Sequence, residues 1–143
     1  MHQSNNFEIC VRALIKIDGK ILFCQVKGKG HYFFPGGHVE FDETADGALA
    51  RELDEELGVA IKKAEYIGTV ENIYQDDESD HHEINLVFKV ELEFFNHKSK
   101  EEHISFALFD RQTFQETRVL PIPLKNAILQ WLDDGKQFFV TQV

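Results

Sequence analysis

The sequence predicts a single α/β domain, and three observations carry that prediction. The dipeptide Asp18-Gly19 separates two apolar-rich segments and marks a tight β-hairpin. Leu49, Leu53 and Leu57 recur at helical spacing, and Gly58 follows where a helix stop belongs. From Glu83 to Phe94 the pattern alternates, with Ile84, Leu86, Phe88, Val90, Leu92 and Phe94 on one face of a strand. A chain of 143 residues can bury one proper core, so residues 1–143 are read as one domain.

The elements follow in order. Phe7 to Ile17 and Lys20 to Lys27 form the hairpin, and its turn pairs Ile17 with Lys20. Continued outward, that register sets Ile15 against Leu22, Ala13 against Cys24 and Val11 against Val26, an apolar face throughout. Cys10 then falls opposite Lys27, so the two cysteines are not partners and read as buried thiols. Gly28 to Gly37 is a glycine-rich loop. The helix from Thr44 to Leu57 is capped by Thr44 or Asp42. Ile67 to Tyr74 is a strand, Gln75 to His82 an acidic loop, and Ile104 to Phe109 another strand. Pro121 to Asp134 places Leu124, Ala127, Ile128, Trp131 and Leu132 at helical spacing, Trp131 as packing, and Gly135 ends that helix.

Composition excludes several classes of function. No run approaches the ~18 apolar residues of a membrane span, and Met1 to Ile9 has no signal-peptide core, so a cytoplasmic protein is expected. Two cysteines without a CxxC do not make a disulfide scaffold or zinc site. The net charge of −10 is concentrated, because Glu40 to Glu56 holds eight carboxylates and one base, Arg51. A nucleic-acid partner would need a basic patch instead. Such a density of carboxylates points to a divalent cation.

On a helical wheel, Glu52, Glu55 and Glu56 share an arc of about 100° beside the leucine stripe, while Asp54 points away. Ala45 and Ala48 continue the arc, leaving room over the helix. Like charges at these spacings oppose helix formation, and oxygen-only ligands suit Mg²⁺ or Mn²⁺ over zinc. The alternative from the helix alone is an ordinary solvated acidic face.

The flanks extend the pattern. Gly37, five residues, Glu43, seven residues, then Arg51-Glu52-Leu53-Asp54-Glu55-Glu56-Leu57-Gly58-Val59 match the Nudix box at every specified position. The chain therefore resembles a Nudix (MutT-type) hydrolase. The resemblance implies an α/β/α sandwich with a mixed sheet and a catalytic loop–helix–loop. It also implies metal-dependent hydrolysis of a nucleoside diphosphate linked to a group X. Carried over by position, Glu52, Glu55 and Glu56 are metal ligands with the Gly37 carbonyl. Glu52 or a nearby carboxylate helps activate water, and Arg51 with Glu43 orients the motif. A later loop supplies a further carboxylate, Glu102 being the first candidate and Glu101 and Glu83 the others.

Outside the box, Arg12 and Lys27 project from the polar face of the hairpin toward phosphate or X. Lys29 and His31 follow in the loop, and Phe34, among Tyr32, Phe33 and Phe34, is the candidate to stack on a base. Tyr32-Phe33-Phe34-Pro35-Gly36-Gly37 stands where many relatives carry Trp-x-Leu-Pro-Gly-Gly. His81 and His82 read as exposed loop residues. The expected substrate is a small nucleotide, with a (deoxy)nucleoside triphosphate or modified triphosphate slightly favoured. ADP-ribose, a dinucleoside polyphosphate or a non-catalytic nucleotide-sensing module are the alternatives. A monomer or homodimer is expected.

Overall fold

The computed structural model describes residues 6–96 and 102–142, so Glu101 lies outside the described residues. In chain order the elements are β1 (Glu8–Ile17), β2 (Lys20–Val26), β3 (Gly36–His38), α1 (Ala45–Leu57), β4 (Ile61–Gln75), β5 (Asp80–Leu92), β6 (Ile104–Phe109), α2 (Arg111–Glu116), α3 (Ile122–Asp134) and β7 (Phe138–Gln142). One mixed sheet runs β6-β2-β1-β5-β4-β7, with β3 also on β1. β1 pairs with β5 and β4 with β7 in parallel. The other pairings are antiparallel.

Alternation along the strands gives the sheet two apolar faces, and helices cover both. Val11, Ala13, Ile15, Phe88 and Val90 pack against Leu49, Leu53 and Leu57 of α1. Leu14, Phe23, Val70 and Val87 pack against Phe114 of α2 and Leu124 and Ile128 of α3. This is the expected α/β/α sandwich. Among the described residues no helix is long and apolar enough to cross a membrane.

The predicted hairpin forms only near its turn. Ile17 pairs with Lys20 and Lys16 with Ile21, but the strands then part. Between them lies the glycine-rich segment: β3 pairs with Cys10–Arg12, and Phe33 bridges to Cys24. The predicted Ala13–Cys24 and Val11–Val26 pairs are therefore replaced. A hairpin register read outward from its turn cannot register an inserted strand. Both cysteines are nevertheless buried and not paired in a disulfide, as expected.

β4 and β5 run longer than predicted and leave only residues 76–79 as their turn. Asp76 Oδ1 accepts from the backbone N–H groups of Glu78 and Ser79 at 2.9 and 2.8 Å, closing it. His81 and His82 thus lie in β5, and neither is an exposed loop residue. His82 meets Glu71 at 2.7 Å. His81 is clamped between Glu8 at 2.7 Å and Asp76 at 2.6 Å, and it stacks on Tyr74 with ring centroids 4.7 Å apart.

The hydrogen bond to Glu8, with that to Asp76, raises the His81 pKa above its ordinary value. A raised folded-state pKa contributes stability that is full below about pH 6.5 and lost as pH rises through the folded value. Comparing Tm from pH 5 to 8, the advantage of the parent over His81→Gln is expected to be largest at the acid end and to shrink steadily above pH 6.5. An advantage that grows with pH would contradict the clamp.

Candidate active site

The site begins where the chain passes closest to β1. Pro35 O accepts from the Ala13 N–H at 2.9 Å, and Gly36 and Gly37 pair with Arg12 and Val11. A Cβ on Gly36 would stand 1.9 Å from Val11 O, and its φ of +143° lies outside ordinary side-chain range. Only glycine fits there. A Cβ on Gly37 would fall 2.5 Å from the Glu52 carboxylate, so the acidic side chain is seated directly against this backbone.

α1 starts as predicted. Thr44 Oγ1 accepts from the Gly47 N–H at 3.0 Å, and Gly58 closes the helix in the left-handed conformation. Its leucines face the sheet, which turns the glutamate arc toward β3. Ala48 is fully buried and Ala45 packs on the same core, so the expected space over these alanines is filled by the protein. The predicted overhang is corrected accordingly.

Arg51 organises the carboxylates. Its Nε and Nη2 donate to the two oxygens of Glu43 at 2.7 and 2.9 Å, a bidentate fork. Nη2 also donates to His38 O at 2.9 Å, tying the helix to β3, and Nη1 reaches Glu52 at 3.0 Å and Glu55 at 3.5 Å. The paired guanidinium, with the Glu40 backbone N–H, holds the Glu43 carboxyl down at about 2. Glu56 is 6% exposed, the Gly36 N–H points to its Oε1 at 3.4 Å, and the Cys24 thiol lies 3.8 Å from its Oε2. By contrast the Glu55 side chain is half exposed.

Glu52, Glu55, Glu56 and the Gly37 carbonyl offer oxygen donors only, and Glu52 is seated against Gly37. That set fits a hard divalent cation. Among the described residues, no three acidic, histidine or cysteine side chains are already drawn together as a closed metal cluster. Arg51 holds two of the glutamates in the present arrangement. Gly37→Ala is expected to fold, since a flexible carboxylate can swing aside. By displacing Glu52 it should lower kcat/KM roughly tenfold or more, as misplaced catalytic groups do. Near-parental kcat/KM in a steady-state assay would refute this seating.

The remaining predicted residues are scattered. Phe34 is fully buried, 5.1 Å from Phe23 and 5.8 Å from Phe114 between ring centroids. Its ring offers no face to a base, so that assignment is corrected. Its carbonyl instead accepts from Arg12 Nη1 at 3.1 Å. Lys27 and Glu102 are exposed beside one another's strands, where the Lys27 N–H donates to His103 O at 2.9 Å. Glu83 shares its β5 face with Val87, opposite the face that packs on α1. It belongs to a separate cavity.

That cavity, of about 640 Å³, is lined by Arg12, Asn72, Tyr74, Glu83 and the segment Leu120 to Pro123, among others. The volume lies within the ~300–1,000 Å³ of small-ligand pockets. Arg12 pairs with Gly36, so the cavity and the carboxylate arc meet at the glycine turn. Sequence reading missed Asn72, Tyr74 and the Leu120–Pro123 wall. The available signals were the polar Asn72 between Val70 and Tyr74 on one strand face, and two prolines, Pro121 and Pro123, at the start of a helix.

Comparison with known proteins agrees with this layout. A family model described as NUDIX domain matches residues 8–132. CTP pyrophosphohydrolase of Escherichia coli K12 is 44% identical over 63 residues, covering 41% of this chain and 47% of that protein. ADP-ribose pyrophosphatase of Methanocaldococcus jannaschii is 33% identical over 87 residues, covering 59% and 50%. The chain thus spans about half the length of these curated relatives. The MutT protein of Bacillus halodurans superposes with a TM-score of 0.79 at 19% identity, covering 94% of this chain and 88% of that one. With a matched domain of this extent, the chain belongs to the NUDIX domain family.

Proposed function

We propose that the chain is a Mg²⁺- or Mn²⁺-dependent pyrophosphohydrolase acting on a nucleoside diphosphate linked to X, with a (deoxy)nucleoside triphosphate, ordinary or base-modified, as the favoured class. The observation that carries this reading is the seating of Glu52 and Glu56 against Gly37 and Gly36, with Glu55 on the same arc. Relatives named CTP pyrophosphohydrolase and 8-oxo-dGTP diphosphatase support the triphosphate class. A relative named ADP-ribose pyrophosphatase marks the alternative.

Glu52, Glu55, Glu56 and the Gly37 carbonyl would hold the cations. Divalent ions bound there supply charge neutralisation of the pyrophosphate and a lowered pKa for the attacking water. Glu52 or another carboxylate close by would help activate the water. Arg51 and Glu43 lock the helix to β3, so the carboxylates keep their aim through turnover. Arg12, at the glycine turn, faces the phosphates, and the cavity beyond it takes the nucleoside.

The test is phosphate and pyrophosphate release from dNTPs, oxidised dNTPs, ADP-ribose and dinucleoside polyphosphates with Mg²⁺, Mn²⁺ or EDTA. Metal-dependent hydrolysis of a triphosphate is the expected result. Turnover of ADP-ribose alone would move X. Metal-dependent nucleotide binding without any turnover would replace the enzyme with a sensing module.

A further inference from the structure

The cavity has two unlike walls. Leu120, Pro121, Ile122 and Pro123 form an apolar one, with Ile122 59% exposed at the rim, a surface suited to the flat face of a base. The other is polar and belongs to the β4–β5 hairpin. Asn72 pairs directly with Glu83 across it, so the two side chains rise side by side from neighbouring strands.

Asn72 is only 7% exposed, yet its amide has no hydrogen-bond partner among the described residues. Asn72 lines the cavity, where a ligand group would give its amide partners. Glu83 is held in place from one side. Its Oε2 accepts from Tyr74 Oη at 3.2 Å, and Tyr74 is itself stacked on the clamped His81. Glu83 Oε1 has no described partner. The polar wall therefore offers a carboxylate oxygen, which only accepts, beside an amide, which both donates and accepts.

We propose that Asn72 and Glu83 read the edge of the nucleobase and select bases carrying an exocyclic amino group (cytosine, adenine, guanine) over uracil and thymine. This rests on the nucleotide hydrolase reading above. An amino group supplies the N–H donors the carboxylate needs. Uracil and thymine would set two carbonyl oxygens beside it, flanking a single ring N–H. Asn72 completes the pattern, because its amide can donate to a bare ring nitrogen beside the amino group or accept from a ring N–H there. Arg12 fixes the direction of the ligand. Its β5 partner is Val87, four residues from Glu83, or about 13 Å along the strand, which leaves room for the sugar between base and phosphates.

The test is calorimetric titration of the whole protein with CMP, AMP, GMP and UMP, beside turnover of the matching triphosphates. Amino-bearing nucleotides are expected to bind roughly tenfold or more tightly than UMP, the size of one base-edge recognition. Glu83→Gln, isosteric but able to donate, should bring UMP within about threefold of CMP. Asn72→Leu should weaken all four. Equal affinity for CMP and UMP, no binding of any of the four, or an unchanged preference in Glu83→Gln would overturn the assignment. If Asn72→Leu does not fold, Glu83→Gln decides alone. Base-selective binding without turnover would sink the hydrolase reading and leave this one standing, while turnover indifferent to the base would do the reverse.

Discussion

Glu56→Gln is expected to remove turnover while leaving the fold at least as stable as the parent. Glu56 is the most buried of the three box carboxylates, at 6% exposure, and an amide of the same shape can still accept from the Gly36 N–H. Replacing a desolvated charge with a neutral isostere lowers the cost of burial, so Tm without metal should hold or rise. In the proposed hydrolase, cation binding would depend on that charge, and several kcal/mol of transition-state stabilisation would go with it. At about 1.4 kcal/mol per tenfold, kcat should fall by at least about 10³. Thermal melts with and without Mn²⁺ separate the two effects, because the parent's Mn²⁺-induced rise in Tm should shrink in the variant. Full activity in Glu56→Gln would show that the metal site lies elsewhere.

Arg51→Lys gives the second large effect, through positioning. Lysine keeps the charge but not the fork, so it cannot hold both oxygens of Glu43 and reach His38 O as well. Groups that orient metal ligands typically matter by about 10–100-fold, which is the expected loss in kcat/KM. Acid stability gives a readout apart from activity. Glu43 is held down at about 2 in the folded chain, so it contributes stability above its ordinary value near 4.3, lost as pH falls toward 2. Without the fork that depression shrinks, and the midpoint of acid unfolding should move to higher pH. An unmoved midpoint would mean the fork does not lock the motif.

The parts of this molecule that were legible in its sequence are those that local chemistry determines. The Asp18-Gly19 turn, α1 between Thr44 and Gly58, β6, and α3 ending at Gly135 all stand where turn residues, caps and periodicity put them. Elements that depend on a distant partner were not. β3 exists because Gly36 and Gly37 permit a close approach to β1, a property of two chains of backbone at once. The first half of β4, Ile61 to Tyr66, carries two register shifts that break the alternation. β7 pairs in parallel with β4, and such a partner leaves no turn signal next to it.

The site divides along the same line. Box residues lie within 23 positions of one another, and the helix alone brings the glutamates together. The cavity draws Arg12, Asn72, Glu83 and Leu120 from far apart, so no spacing announces it. Phe34 was misjudged for a related reason. Of three adjacent aromatics, only the packing of Phe23 and Phe114 determines which one turns inward.

The parallel pairing of β1 with β5 also bears on how the molecule folds. Glu8 meets Glu83, and the whole loop between them contains β2, β3, α1 and β4. Closing so long a loop costs entropy before the pairing returns any enthalpy, which makes this step slow relative to the formation of α1. The α1 leucines pack on Val11, Ala13 and Ile15 of β1 and on Phe88 and Val90 of β5, so the full seat of the carboxylate helix is expected to form together with that pairing.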